Sequence, residues 1–350
     1  MKRPNRWWKS LSAAVLFGAL GAGGNGCGGE TREAAPDSWA RALREGTATP
    51  PKAARQWTGH EGAVTALSFV AAGDRLVSIG YDDFRLCLWD AADGRKLDER
   101  GLDARPCDLG GFPDGTRVAV VDTKGRVSIW PVASDRFGEP RRLRGDAGRS
   151  PRLAVGHDGD HLMTSGYGYP VFLWSVSGGA ALDPLPDSET MRGVVFDPRG
   201  RSVAAGTPRD EFTVWPRTSP TEVGRGKTYR VQGATPQSDV AAIAISPDGR
   251  FLATGHMDAS ISLWDFDRMK QIHDFFVQDA SARDVDFSPD GSVFATAHQN
   301  RRVYLWDSET GIELAILGGH RGPPVSVVFD PSHPGVFASG GETGDIIVWR

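Results

Sequence analysis

The sequence of 350 residues predicts an all-β fold, a closed ring of seven four-stranded antiparallel blades. Three observations carry that expectation. Trp89, Trp130, Trp174, Trp215, Trp264, Trp306 and Trp349 each end a short alternating strand, at intervals of 41, 44, 41, 49, 42 and 43 residues. Segments such as Arg126-Val-Ser-Ile-Trp130 and Arg302-Val-Tyr-Leu-Trp306 alternate in the way half-buried strands require. Earlier in most units an apolar run meets a tight turn: Phe112-Pro-Asp-Gly115, Asp197-Pro-Arg-Gly200, Ser246-Pro-Asp-Gly249 and Ser288-Pro-Asp-Gly291. There Pro presets φ, Asp bonds its own backbone and Gly takes the left-handed conformation. The third observation is composition, since 44 Gly and 23 Pro in a chain only 39% hydrophobic describe many short strands joined by turns.

Each unit is therefore a meander of antiparallel strands. One small sheet cannot bury its own faces, so the units stack, and seven at this period close into a propeller. The seventh unit ends at Arg350, one residue after Trp349, and lacks an outer strand. Ala53-Ala-Arg-Gln-Trp57 stands before Gly59-His60 as the outer strands stand in other units, and is expected to complete the seventh blade and cover its edge. The expected organisation is a leader at 1–27, a flexible spacer at 28–50 with a short helix at Ser38 to Arg44, and the propeller at 51–350.

The leader carries Lys2, Arg3, Arg6 and Lys9, then an apolar run from Leu11 to Ala22, then small residues up to Cys27. Charge, apolar core and small-residue tail in that order form an export signal. The apolar run is shorter than the ~20 residues of a stable membrane helix. Cys27 resembles the acylated cysteine of a bacterial lipoprotein, although Gly24 stands where such signals carry Leu. Cleavage after Ala19 or Ala22 and an uncleaved anchor remain as alternatives. Acyl chains on Cys27 would hold the body to a membrane at ~0.8 kcal/mol per buried methylene.

Trp-Asp pairs at Trp89-Asp90, Trp264-Asp265 and Trp306-Asp307, and Gly-His pairs at Gly59-His60 and Gly319-His320, resemble the WD-repeat family over residues 53 to 350. The resemblance implies a buried relay in each blade, from the Trp indole through a Ser or Thr and an Asp to the His. Carried over, it places His60, Ser78, Asp82 and Trp89 in the first blade, with Asp83 competing for the place of Asp82. The fifth has Thr254, Asp258 and Trp264, the sixth Thr296, Asn300 and Trp306. The seventh has His320, Ser339 and Trp349, with Thr343 in the Asp position. Val120, Lys124, Ala205 and Arg209 leave the second and fourth blades without a relay. These are scaffold groups, because a buried indole N–H needs an acceptor.

Catalytic motifs are lacking. Gly226-Lys227-Thr228 has Thr221 where a phosphate loop needs its first glycine, and His60-Glu61 lacks the second His of a zinc protease. His157, His161, His256, His273, His298 and His333 could meet across the ring in a metal site, but most are expected to be partly exposed turn or strand-end residues, with no metal and no cofactor. Cys87 and Cys107 are expected to remain unpaired, and a formal net charge of -4 argues against nucleic acid. On the family pattern Tyr81, Tyr167, Met257 and Gln299 from turns, with Arg192 and Arg283 from inner strands, face the channel mouth. Residues 216–239 are expected to include an extended loop. Tyr, Met and Arg favour protein contacts. The expectation is an exported, membrane-tethered, monomeric and non-enzymatic scaffold for a protein or peptide partner. The alternative is a small-ligand, carbohydrate-binding or hydrolytic propeller acting at the channel mouth.

Overall fold

The computed structural model describes residues 38–233, 238–278 and 280–350. The export signal, Cys27 and the first part of the spacer lie outside them. The first blade runs outward as Val64–Val70, Arg75–Gly80, Arg85–Asp90 and Lys96–Gly101. Later blades begin with Pro106–Gly111, Arg149–Val155, Val194–Phe196, Val240–Ile245, Ala282–Phe287 and Pro324–Phe329. These seven inner strands neighbour one another in cyclic order, and the last lies against the first. The chain is a closed seven-bladed propeller.

The turns explain how each meander reverses. Ser246 Oγ donates to Asp248 Oδ1 at 2.6 Å and accepts from Phe251 N at 2.9 Å, while Gly249 sits at φ +69°. Ser288, Asp290 and Gly291 repeat the arrangement in the sixth blade. Apolar residues lie between blades, as the strand alternation requires. One cluster joins Val77, Ile79, Leu86 and Leu88 of the first blade to Leu109, Val118, Val120 and Trp130 of the second.

The seventh blade takes its outer strand from Ala53–Thr58, which pairs antiparallel with Asp345–Trp349 in the register Ala53 to Trp349 and Trp57 to Ile346. Lys52 and Arg350 extend the pairing with reciprocal backbone bonds of 2.8 and 3.0 Å. Ring closure thus uses the segment that the sequence pattern selects.

Two stretches depart from expectation. In the fourth blade part of the interval after Trp215 is built into strands. Glu211–Ser219 continues into a hairpin with Glu222–Val223, and Lys227–Arg230 returns as the outer strand. Gly226-Lys227-Thr228 therefore leads a strand and starts no helix. In the expected spacer, Ser38 caps the helix Trp39–Arg44 by accepting from Arg41 N at 3.3 Å. That helix is docked. Trp39 N donates to Asp290 at 3.1 Å, Ala40 N to Ser292 at 3.1 Å, and Arg44 pairs at 2.7 Å with the buried Asp307. Asp290 and Ser292 lie in a turn of the sixth blade and Asp307 ends its third strand, all at the end of the ring that carries the Pro-Asp-Gly turns.

Candidate functional site: the channel and its mouth

Residues on the inner strands face either the channel or the neighbouring sheet, because strand side chains alternate. At one level of the channel stand Asp108, Arg152 and Asp284, separated by Ala66, Gly193, Ala242 and Ser326. The small residues leave a cavity of about 270 Å³, to which all seven inner strands contribute. It continues into a mouth of about 410 Å³ walled by Tyr81, Pro151, Met191, Arg192, Asp239 and Met257.

The channel acids solve a problem of the architecture. An inner strand has a sheet partner on one side only, so backbone N–H groups on its other edge need acceptors. Asp108 accepts from Leu109 N of its own strand at 2.9 Å and from Leu153 N of the third blade at 2.8 Å. Asp284 accepts from Val285 N at 3.0 Å and Val327 N at 2.9 Å, and Asp286 from Phe287 N at 2.9 Å and Phe329 N at 2.7 Å. These side chains clasp the second blade to the third and the sixth to the seventh. Burial pushes Asp284 up to about 6 and Asp286 up to about 7, against the opposing pull of those N–H bonds. Asp108 is also raised by burial, with Arg152 opposing. Sequence reasoning missed this set. Its signal is a pair of carboxylates at alternate positions in the otherwise apolar run Asp284-Val285-Asp286-Phe287.

Of the residues expected at the mouth, Tyr81, Arg192 and Met257 line it together. Met257 is 50% exposed, unusual for a side chain of its apolarity, and Arg105 lies over the Tyr81 ring at 4.8 Å. Arg192 pairs with Asp239 at 2.8 Å. Arg283 borders the ring cavity below, paired with Glu342 at 3.1 Å. Gln299 is exposed on the same face, but the mouth cavity is not bordered by it. The Tyr167 backbone ends the strand His161–Tyr167, and its side chain lies outside the described residues.

The relays differ from blade to blade. In the first, Ser78 Oγ accepts from Trp89 Nε1 at 2.8 Å and meets His60 Nε2 at 2.7 Å, while His60 Nδ1 meets Asp83 at 2.9 Å. Asp82 is not the acid. The turn is one residue longer, with Phe84 at φ +56°, so Asp82 swings outward to within 3.9 Å of Arg105. In the seventh, Trp349 and His320 share Ser339 at 2.8 and 2.6 Å, and His320 reaches Asp345 at 2.6 Å. The acid is thus present two residues after Thr343, which donates to it at 2.6 Å.

The sixth blade joins Trp306 to Thr296 at 2.8 Å, but Asn300 turns away and donates to Tyr304. His298, at the end of the second strand, takes the position expected of a loop histidine, bonding Thr296 at 2.8 Å and Ala280 O at 2.8 Å. In the fifth blade His256 meets Thr254 at 2.9 Å, Asp258 accepts from Ser260, and the Trp264 indole N–H has no hydrogen-bond partner. Burial holds both His256 and His298 down to about 4, so both are neutral. Trp130 bonds Ser128 of its own strand, Trp174 bonds Thr164, and Trp215 bonds Pro186 O. Neither Val120 nor Ala205 serves an indole.

Among the described residues no three His, Cys, Asp or Glu side chains form a metal-binding group. Cys87 and Cys107 are free thiols, each pushed up to about 12 by burial, which leaves them weak nucleophiles. No helix among the described residues is long and apolar enough to cross a membrane.

The WD domain, G-beta repeat model matches residues 52–90, 226–265, 269–307 and 311–350, the first, fifth, sixth and seventh blades with the closing strand. Those are the blades in which a His meets the Ser or Thr hydroxyl. The WD repeat-containing protein slp1 of Schizosaccharomyces pombe is 22% identical over 60% of this chain and 42% of its own length. The guanine nucleotide-binding protein subunit beta-like protein 1 of Mus musculus is 25% identical over 61% of this chain and 69% of its own. WD repeat-containing protein 1-B of Xenopus laevis is 29% identical over 35% of this chain. The match spans 42% of slp1 and 20% of protein 1-B, less than half of either relative. Repeated blades, strand-borne closure, shared relays and these matches converge: the chain belongs to the WD-repeat β-propeller family.

Proposed function

We propose that this propeller is an exported scaffold, tethered to a membrane through a lipid on Cys27, that binds a protein or peptide partner at its channel mouth. The observation that supports this reading most is the mouth itself. Tyr81, Met191 and Met257 provide apolar surface around an Arg192–Asp239 ion pair in a space of about 410 Å³. Tyr, Met and Arg together are residue types enriched at protein interfaces. The channel carboxylates argue for binding over hydrolysis, because every oxygen of Asp108, Asp284 and Asp286 already holds a backbone N–H. The WD-repeat relatives favour an interaction role as well.

Two measurements test this reading. Metabolic labelling with an alkyne fatty acid should mark the chain and fail on Cys27→Ala, which should also leave the membrane fraction. A photo-crosslinking amino acid at Met257 should capture a discrete protein that the same group at Asp248, at the opposite end of the ring, does not. Equal capture at both places would remove the mouth from consideration.

A further inference from the structure

The polar groups of the mouth are unequally satisfied. Arg192 and Arg283 are held by Asp239 and Glu342. Arg152 stands on the inner strand of the third blade, borders both the mouth and the ring cavity below it, and is exposed to that space. Among the described residues no carboxylate lies within ion-pair distance of its guanidinium. Asp108 and Asp284 feel its charge, but their oxygens are committed to N–H groups of two blades each. The floor of the mouth thus offers guanidinium N–H donors, while its acceptors are already engaged.

Charge and packing point the same way. Burial draws Asp284 and Asp286 toward their neutral forms, which reduces the field that would oppose an anion. A cationic guest would have to compete with the inter-blade bonds and approach Arg152. Pro151, Met191 and Met257 line the way in and give apolar surface beside the guanidinium for the rest of a peptide side chain. We propose that the mouth accepts an Asp or Glu side chain of a peptide partner, which the Arg152 guanidinium binds through two parallel N–H bonds. This rests on the mouth being the partner-binding face.

The test is a selection of short random peptides, amidated at the carboxyl end, on the full-length chain in detergent. Peptides that compete for one site should share an acidic residue. Their affinity should fall about tenfold or more on Arg152→Ala, recover in part on Arg152→Lys, and fall equally when the acidic residue becomes its amide. The peptide and protein changes should not add, since both remove one contact. Arg152→Ala should still fold cooperatively, losing only its charge compensation of Asp108 and Asp284, which Arg152→Lys retains. Winners that are basic or uncharged, or that bind Arg152→Ala equally, overturn the carboxylate assignment and leave a peptide-binding mouth standing. A strict requirement for a free peptide carboxyl terminus overturns the side-chain source. Failure to select any peptide, together with no crosslink at Met257, removes both this assignment and the reading beneath it.

Discussion

The seventh and fifth blades carry nearly the same strands yet secure their tryptophans differently. In the seventh, His320 arrives from the segment before the inner strand and Asp345 from the start of the third, so the Ser339 hydroxyl links separate pieces of chain. In the fifth, His256 lies two residues from Thr254 on the same strand, and the Trp264 indole has no acceptor. Trp264 is held by packing, with Phe212 edge-on at 4.9 Å. A relay of the first kind reports on tertiary closure, whereas the second is local to one strand and adds little to the ring.

The comparison breaks most severely if closure itself is removed. Deleting residues 51–58 strips the seventh blade of its outer strand and should abolish cooperative unfolding in scanning calorimetry. A normal melt would show that the strand is dispensable.

Acid separates the blades next. His256 and His298 are held near 4 in the folded chain against 6.5 in the unfolded one, so the folded state binds fewer protons between those values. Stability should fall as pH drops through that window, by a few kcal/mol for the two together. Asp345 is held down to about 2, chiefly by His320 and Thr343 acting against burial. Its contribution is present above 3.8 and lost only as pH falls from there toward 2. Hydrogen exchange at stepped pH should show the fifth and sixth blades loosening before the seventh. The channel acids act in reverse. Asp284 and Asp286, raised from 3.8 to about 6 and about 7, favour folding at low pH, and that contribution is lost as pH rises from 3.8 to those values. Asp286→Asn, whose single amide oxygen cannot accept from both Phe287 N and Phe329 N, should be less stable than the parent at pH 4, with the gap narrowing as pH rises to 7 in denaturant titrations.

Smaller effects sharpen the contrast. Ser339→Ala leaves both His320 and Trp349 without a shared partner and should cost about 2–4 kcal/mol, whereas Thr254→Ala strands only His256 and should cost about 1–3 kcal/mol. Equal losses in urea would erase the distinction. Trp264→Phe and Trp349→Phe both open a cavity, but only the second removes a bonded N–H among the described residues, so it should cost about 1–2 kcal/mol more.

Seven blades and the closing strand were readable because tryptophan spacing and Pro-Asp-Gly turns are local and repetitive. The relay was readable only where turn lengths matched. One extra residue moved the acid from Asp82 to Asp83, and Asp345 escaped because it opens a strand. His256 and His298 end their strands as expected, but both are buried where partial exposure was expected, because each ring turns back onto the Thr hydroxyl two residues earlier in its strand. The mouth was legible in Tyr81, Arg192 and Met257, whose turn and strand positions follow from the repeat. Arg152 and the channel acids depend on cross-ring neighbours that no single repeat contains. Cys27 and the leader fall outside the described residues.

The docked helix ahead of the closing strand has a mechanical consequence. A pull on the chain before Ser38 reaches the ring first at Asp290, Ser292 and Asp307, so the sixth blade takes the load before the strand Ala53–Thr58 does. The Arg44–Asp307 pair and the bonds to Asp290 and Ser292 thus act as a strain relief, isolating the seam that holds the circle shut from forces transmitted along the preceding chain.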